Sequence, residues 1–240
     1  MPTLATQHSI LSDSDHIFSP REGYDRIANF YDQWKWQSFW DENEAPLVSD
    51  LIDLVDPAYV LDVGVGTGRY LHSLCQKHIE GIGIDLSQAM LSIAEQRPML
   101  AGRLLQGDVR DLPFASSSFD AAVAARVFSH VKELDIALAE VARVLSPGGT
   151  LIYTDIDGDH KYESTKVKTP VGDFRIEVNK RGIREVIKKI EDSGLFEVKY
   201  VKQLSAANVG WLPPASSLRS IDRTGTKPVS FIMLLQKNGN

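Results

Sequence analysis

Between residues 59 and 154, short apolar runs alternate with segments of helical period, and this alternation restricts the fold more than any other feature of the chain. Tyr59 to Val63 reads as a β-strand ending at Gly64, and residues 68–77 carry helical spacing through Tyr70, Leu71, Leu74 and Cys75. Residues 81–84 form a second buried strand. Ser87 is placed to cap a helix through Met90, Leu91 and Ala94 that stops near Pro98. Leu104 and Leu105 mark a third strand. Residues 119–125 form a fourth, whose small apolar residues on both faces suit the interior of a parallel sheet. Residues 134–145 are amphipathic, and a Pro147-Gly148-Gly149 turn leads into a strand over 150–154. Such alternation implies right-handed crossovers and an open, mostly parallel sheet with helices on its faces.

After Asp157 the pattern changes. Residues 167–178 alternate around a turn at 169–173 and predict a β-hairpin; a helix over 182–193 and strands over 196–204 and 229–236 follow. Residues 206–228, with Pro213 and Pro214, read as a loop, and residues 24–40 are helical in period and rich in aromatic residues. The expected organisation is one domain over 1–240, with a helical lid at 1–45, a ligand-binding core at 46–157, a hairpin insertion at 158–181, and a terminal helix with strands at 182–240.

The chemistry is concentrated at Val60-Leu61-Asp62-Val63-Gly64-Val65-Gly66-Thr67-Gly68-Arg69-Tyr70, a strand entering a glycine-rich turn that opens a helix. Glycines there let the backbone turn sharply and a ligand approach, and the free amides of the helix suit an anionic group. In an open α/β sheet this is the ligand end. A dinucleotide fingerprint fails at Arg69, where it needs its third glycine, and the Lys-Ser/Thr pair of a P-loop is absent. What remains is DxGxGxG, followed by Asp85 and then Asp108, each near a strand end. Asp85 is placed to accept two ribose hydroxyls.

Composition narrows the class. The 240 residues hold 32 acidic and 26 basic side chains, for a net charge of −6, which disfavours bulk binding to nucleic acid. One cysteine, Cys75, permits no intramolecular disulfide and no multi-cysteine zinc site, and it reads as a buried hydrophobe. No metal site is expected. Residues 1–18 lack a secretory signal pattern, and no stretch reaches the roughly 18 apolar residues of a membrane span, so a cytoplasmic location is expected.

The chain resembles the class I S-adenosylmethionine-dependent methyltransferases, and is most similar to the small-molecule branch that includes ubiquinone and menaquinone biosynthesis methyltransferases. The likeness runs from about Tyr24 to Asp157. It includes Tyr24-Asp25-Arg26-Ile27-Ala28 with Tyr31-Asp32, Val60 to Gly68, Gly83 to Ser87 with Met90-Leu91, Gly107-Asp108-Val109 with Leu112-Pro113-Phe114, Ser118-Phe119-Asp120, and Glu140 to Gly149. The resemblance implies a Rossmann-like, doubly wound, seven-stranded sheet with an antiparallel C-terminal strand. It implies S-adenosyl-L-methionine as cofactor and a small-molecule methyl acceptor as partner. Asp62 and the Gly64, Gly66, Gly68 turn would hold the methionine moiety, and Asp85 the ribose. Leu86 and Met90 would pack on the adenine, with Asp108 and the Val109 amide at its edge. Ala125 would offer a carbonyl to the cofactor's ammonium, and Tyr24 and Tyr31 would cap the site. The oligomeric state is left open, with a homodimer one option.

Methyl transfer from a sulfonium is an in-line displacement, so the protein must chiefly bring the acceptor to about 3 to 3.5 Å from the methyl carbon and exclude water. A base is needed only when the acceptor must lose a proton. His130, just past the fourth strand, is the first candidate, with a structural role as the alternative. Trp34, Trp40, Arg126 and Asp157 are candidates to line the acceptor pocket, and Asp155 and His160 could also face it. Residues 1–60 hold 11 acids and 3 bases, and residues 160–189 hold 9 bases and 4 acids. The two segments could attract each other, or the basic one could attract an anionic acceptor or simply face water. Rival functions are a methyltransferase-fold protein that uses the cofactor for cyclisation or regulation, a nicotinamide-dependent dehydrogenase, and a nucleic-acid or protein methyltransferase.

Overall fold

The computed structural model describes residues 16–158, 162–205 and 228–239; His160 and the 206–227 part of the predicted loop lie outside them. The strands are β1 (Ile17–Phe18), β2 (Tyr59–Val63), β3 (Glu80–Asp85), β4 (Leu104–Gln106), β5 (Phe119–Ala125), β6 (Leu145–Ile156), β7 (Thr165–Thr169), β8 (Gly172–Ile176), β9 (Phe196–Ser205) and β10 (Pro228–Lys237). The helices are α1 (Pro20–Tyr31), α2 (Trp36–Asn43), α3 (Ala45–Val55), α4 (Arg69–Gln76), α5 (Gln88–Ala94), α6 (Leu134–Val144) and α7 (Ile183–Ser193), with a single 3-10 turn at Phe128–His130.

Seven strands form one sheet in the order β4-β3-β2-β5-β6-β10-β9. β2 pairs in parallel with β3 and β5, β3 with β4, and β5 with β6, whereas β10 is antiparallel to both β6 and β9. This is the doubly wound sheet with one antiparallel strand expected above. Alternate side chains feed two cores. Leu61, Ala122, Leu151 and Met233 meet α6 and α7 on one face. Val60, Val123, Ile152 and Ile232 meet α3 and α4 on the other. Because β5 carries alanine at 121, 122 and 124, helices on both faces approach the middle of the sheet closely.

Some motif residues from the sequence are braces. Arg143 donates to the carbonyls of Phe114 (2.7 Å) and Leu112 (2.9 Å), and Glu140 accepts from the Leu112 amide at 2.8 Å, so the end of α6 clamps the loop before β5. Ser87 caps α5, accepting from the Met90 amide at 3.2 Å.

Three features differ from the sequence reading. The helical stretch at 24–40 breaks at 32–35, because the Gln33 and Trp34 amides bond Phe30 and Tyr31 in a tight turn that keeps a helix-like period. α3 was not anticipated; Pro46 starts it and Asp56, at φ +49°, ends it without the usual glycine. β1 pairs in parallel with β8, so the segment before α1 joins the β7–β8 hairpin in a separate three-stranded sheet. No helix among the described residues is long and apolar enough to cross a membrane.

Candidate active site

The parallel strands end along one edge, and the glycine turn stands at its middle. Gly64, Gly66 and Gly68 all have positive φ. At Gly68 a Cβ would lie 2.5 Å from Leu100 Cδ1 and 3.0 Å from Ala94 Cβ, so the missing side chain lets α4 start against α5. At Gly66 the nearest heavy atom to a Cβ would be Met90 Cε, at 3.5 Å, which leaves the space before that backbone open. Asp62 is buried beneath the turn, and its Oδ2 accepts from the Leu71 amide of α4 at 2.9 Å. It thereby caps a helix whose own N-cap, Gly68, has no side chain to do so. Burial raises the Asp62 carboxyl to about 7.

Asp85 closes the other side of the turn. Its Oδ2 accepts from the Gly66 amide and its Oδ1 from the Ser87 amide, both at 2.8 Å. Burial raises its pKa, and those two amides oppose the rise. Leu86 is half-buried, and Met90 and Val109 are buried beside it. Asp25 of α1 accepts from the Ser87 hydroxyl at 2.6 Å and so seats the lid on this end. Asp108 is ion-paired to Arg110 at 2.6 Å, and Arg110 also reaches Glu133 at 2.7 Å. Hydrogen bonds from Arg110 hold the Asp108 carboxyl below its ordinary range.

Past β5 the construction changes. Arg126 follows Ala125 in the left-handed region (φ +59°), its amide bonded to the Thr154 carbonyl at 2.8 Å. Its guanidinium lies 4.7 Å from the Trp40 ring centroid and pairs with Glu44, a fully buried acid that Tyr70 also reaches at 2.8 Å. Burial works most strongly against the Arg126 charge, but Glu44, Tyr70 and Tyr31 together hold the pKa above the ordinary arginine value. A cavity of about 250 Å³ opens between these residues and the glycine turn. It brings together Tyr31, Trp40, Gly64, Gly66, Ala125 and Arg126 of the sequence candidates.

His130 does not line that cavity. Its Nδ1 lies 2.7 Å from the Glu177 carbonyl, which can only accept, so Nδ1 carries the proton. The unprotonated Nε2 then accepts from the Tyr24 hydroxyl at 2.8 Å. Burial lowers its pKa to about 4. Trp34 packs on Tyr31 with the apolar residues of α1 and the hairpin, outside the cavity. Asp155 and Asp157 are buried and do not line the cavity. Asp155 accepts from the Ser129 amide at 2.7 Å and Asp157 from Gln203 Nε2 at 2.9 Å. Burial raises Asp155 to about 6.

The partners of the acidic lid lie in the core. Asp32 binds Thr67 and Arg97, Asp41 pairs with Arg69, and Glu44 with Arg126. In the hairpin, Lys168 and Arg175 face local acids, Asp173 and Glu163. Sequence reasoning therefore missed Glu44, Tyr70, Arg97 and Arg110. It used Arg69 only to reject a dinucleotide, although its position directly after the third glycine marked it as a residue of the turn.

A glycine turn at the middle of a parallel edge, an acid on the next strand and a cavity beside them are the arrangement of an α/β protein that binds a nucleotide-type cofactor. A methyltransferase-domain profile matches residues 61–153. The uncharacterized protein MJ1123 of Methanocaldococcus jannaschii is 31% identical over 183 residues, covering 73% of this chain and 82% of that protein. The demethylmenaquinone methyltransferase of Thermotoga maritima is 38% identical over 137 residues, covering 55% of this chain and 59% of that one, so the match spans under two thirds of that enzyme. A solved S-adenosylmethionine-dependent methyltransferase of Thermotoga maritima, described as a possible histamine N-methyltransferase, superposes with TM-score 0.66 at 26% identity, covering 90% of this chain and 99% of that one. The chain belongs to the class I S-adenosylmethionine-dependent methyltransferases.

Proposed function

We propose that this protein binds S-adenosylmethionine at the glycine turn, its methionine moiety in the cavity beside Gly64, Gly66 and Ala125, and transfers the methyl group to a small acceptor by in-line displacement. One observation carries the reading: the open backbone at Gly66, bonded to Asp85, adjoins a cavity of about 250 Å³ walled by Trp40 and Arg126. The residues fit the cofactor. Asp85 retains lone pairs for ribose hydroxyls, the Ala125 carbonyl stands at the strand end for an ammonium, and Leu86, Met90 and Val109 offer an apolar wall for an adenine. Asp108 would share its carboxylate between Arg110 and the adenine amine. When bound, the cofactor supplies an electrophilic methyl group. The chain's own work is to orient the acceptor and exclude water, which the ion pairs closing the lid over the turn support. A reducing, cytoplasmic location belongs to the same reading and rests on the lone buried Cys75.

Titration calorimetry with S-adenosylmethionine, S-adenosylhomocysteine and NAD tests this, with Asp85→Ala as control. The two sulfur compounds should bind and NAD should not, and the variant should lose that affinity while staying folded. Binding of NAD alone would overturn the cofactor assignment. A second reading, cofactor binding without methylation, is kept because a solved 4+2 cyclase, SpnF, shares the fold at TM-score 0.63 and 23% identity. Labelled methyl transfer to candidate metabolites separates the two.

A further inference from the structure

The acids at the ends of β3 and β4 are held differently. Asp85 takes its hydrogen bonds from backbone amides, whereas Asp108 is engaged by an arginine. Gly107 donates its amide to the Asp85 carbonyl at 2.9 Å, so Asp108 leaves the sheet one strand over from Asp85, with Val109 buried next to it. The Asp111 amide then bonds the Asp108 carbonyl at 3.0 Å and folds the chain back in a turn. That turn lays Arg110 on the Asp108 carboxylate.

The carboxylate is fully engaged there. Its Oδ1 accepts from the Arg110 backbone amide at 2.9 Å and from Nε at 3.0 Å. Its Oδ2 accepts from Nε at 3.2 Å and from Nη2 at 2.6 Å. A carboxylate offers about four acceptor sites, and these contacts fill them. Arg110 Nη1 donates to Glu133 at 2.7 Å, at the start of α6, so the guanidinium is fixed from both ends.

A site discriminates steeply by a hydrogen bond when a ligand lacking the group leaves a buried partner unpaired. Asp108 is not in that position. Arg110 satisfies it whether or not a ligand amine arrives, and its side chain is 29% exposed. An amine must share or displace bonds that the turn already makes, so it gains little.

Resting on the S-adenosylmethionine reading above, we infer that Arg110 sets the specificity at the purine edge: by occupying Asp108 it leaves the exocyclic amine of the adenine almost unread, and cofactor recognition falls to the ribose and methionine ends. Arg110 acts through Asp108 and is therefore a positioning residue.

The test is titration calorimetry on the full chain with S-adenosylhomocysteine and with its analogue carrying purine in place of adenine. The analogue lacks only the exocyclic amine and keeps the ring acceptor for the Val109 amide. The native protein should prefer S-adenosylhomocysteine by less than about ten-fold. Arg110→Met frees the carboxylate and should widen that preference by at least about ten-fold, the margin expected for a hydrogen bond to a charged group. Adding Asp108→Ala to that variant should return the preference to its native value, which a general loosening of the turn would not do. A native preference of about ten-fold or more, or a ratio unchanged in Arg110→Met, overturns the inference alone. Failure of S-adenosylhomocysteine to bind the native protein overturns the cofactor reading beneath it.

Discussion

The two halves of the sheet's C-terminal edge are built by different means. At the ends of β2 and β3 the donors are backbone amides: Gly66 and Ser87 to Asp85, and Leu71 to Asp62. At the ends of β5 and β6, side chain meets side chain across the chain. Tyr24 and His130 are 106 residues apart, and Glu44 and Arg126 are 82 apart. A backbone-built half needs few residue identities at fixed spacings. A half made of paired side chains changes when either partner does, which suits the part that meets a varying acceptor.

The difference can be broken most sharply at Glu44. Glu44→Gln leaves Arg126 charged, 14% exposed and without its partner, and breaking a buried pair costs about 3 to 5 kcal/mol. Differential scanning calorimetry should show a melting temperature lower by about 10 °C. The double variant Glu44→Gln, Arg126→Met should recover most of the loss. A single-variant loss under about 1 kcal/mol would mean that this pair does not hold the acceptor half together.

On the glycine turn, Gly68→Ala and Gly66→Ala should separate packing from ligand approach. The first forces a Cβ against Leu100 at φ +80° and should cost about 2 to 4 kcal/mol in denaturant melts. The second meets nothing nearer than 3.5 Å. It should cost less stability and more affinity for S-adenosylhomocysteine. The reverse ranking would break the assignment of the open side of the turn to the cofactor.

Asp62 sharpens the comparison through pH. Its folded pKa, about 7, lies above the unfolded value near 4 because burial disfavours the charge. Folding thus favours the protonated form. Its contribution is fully present below about pH 4 and is lost as pH rises through 7. Asp62→Asn keeps an acceptor for the Leu71 amide without the charge. It should match the native protein near pH 4 and exceed it by on the order of 2 kcal/mol at pH 8. A constant difference across that range would show that Asp62 carries no such penalty.

The cofactor half was largely legible in the sequence. The strand ending at Val63, the three glycines, Asp85 and the Ser87 cap are signals carried by short spacings, and each sits on the element read for it. The acceptor half was not, because hydrophobic period reports which face is buried and not which side chain lies across from it. Glu44 read as one more acid in an acidic lid, and nothing near it in sequence points to Arg126. Asp155 and Asp157 read as acids that could face an acceptor pocket, although both are buried where the end of β6 meets its neighbours. Asp108 shows the opposite failure. Its partner Arg110 is two residues away, but a strand-end acid was read only for what ligand it could bind.

The smallest expected effect concerns the Tyr24–His130 contact, which decides whether this half contains a base at all. The neutral imidazole donates from Nδ1 to the Glu177 carbonyl and accepts at Nε2 from Tyr24, and its pKa of about 4 lies below the ordinary value near 6.5. A lowered histidine pKa contributes stability that is present above about pH 6.5 and is lost as pH falls through 4. Tyr24→Phe removes the donor at Nε2, so it should cost about 1 kcal/mol at pH 7, some 2 to 4 °C in melting temperature. It should also move the His130 titration, followed by its imidazole Cε1 proton in NMR, upward from about 4. A native His130 that titrates near 6.5 and is indifferent to Tyr24→Phe would free its lone pair and restore it as a candidate base.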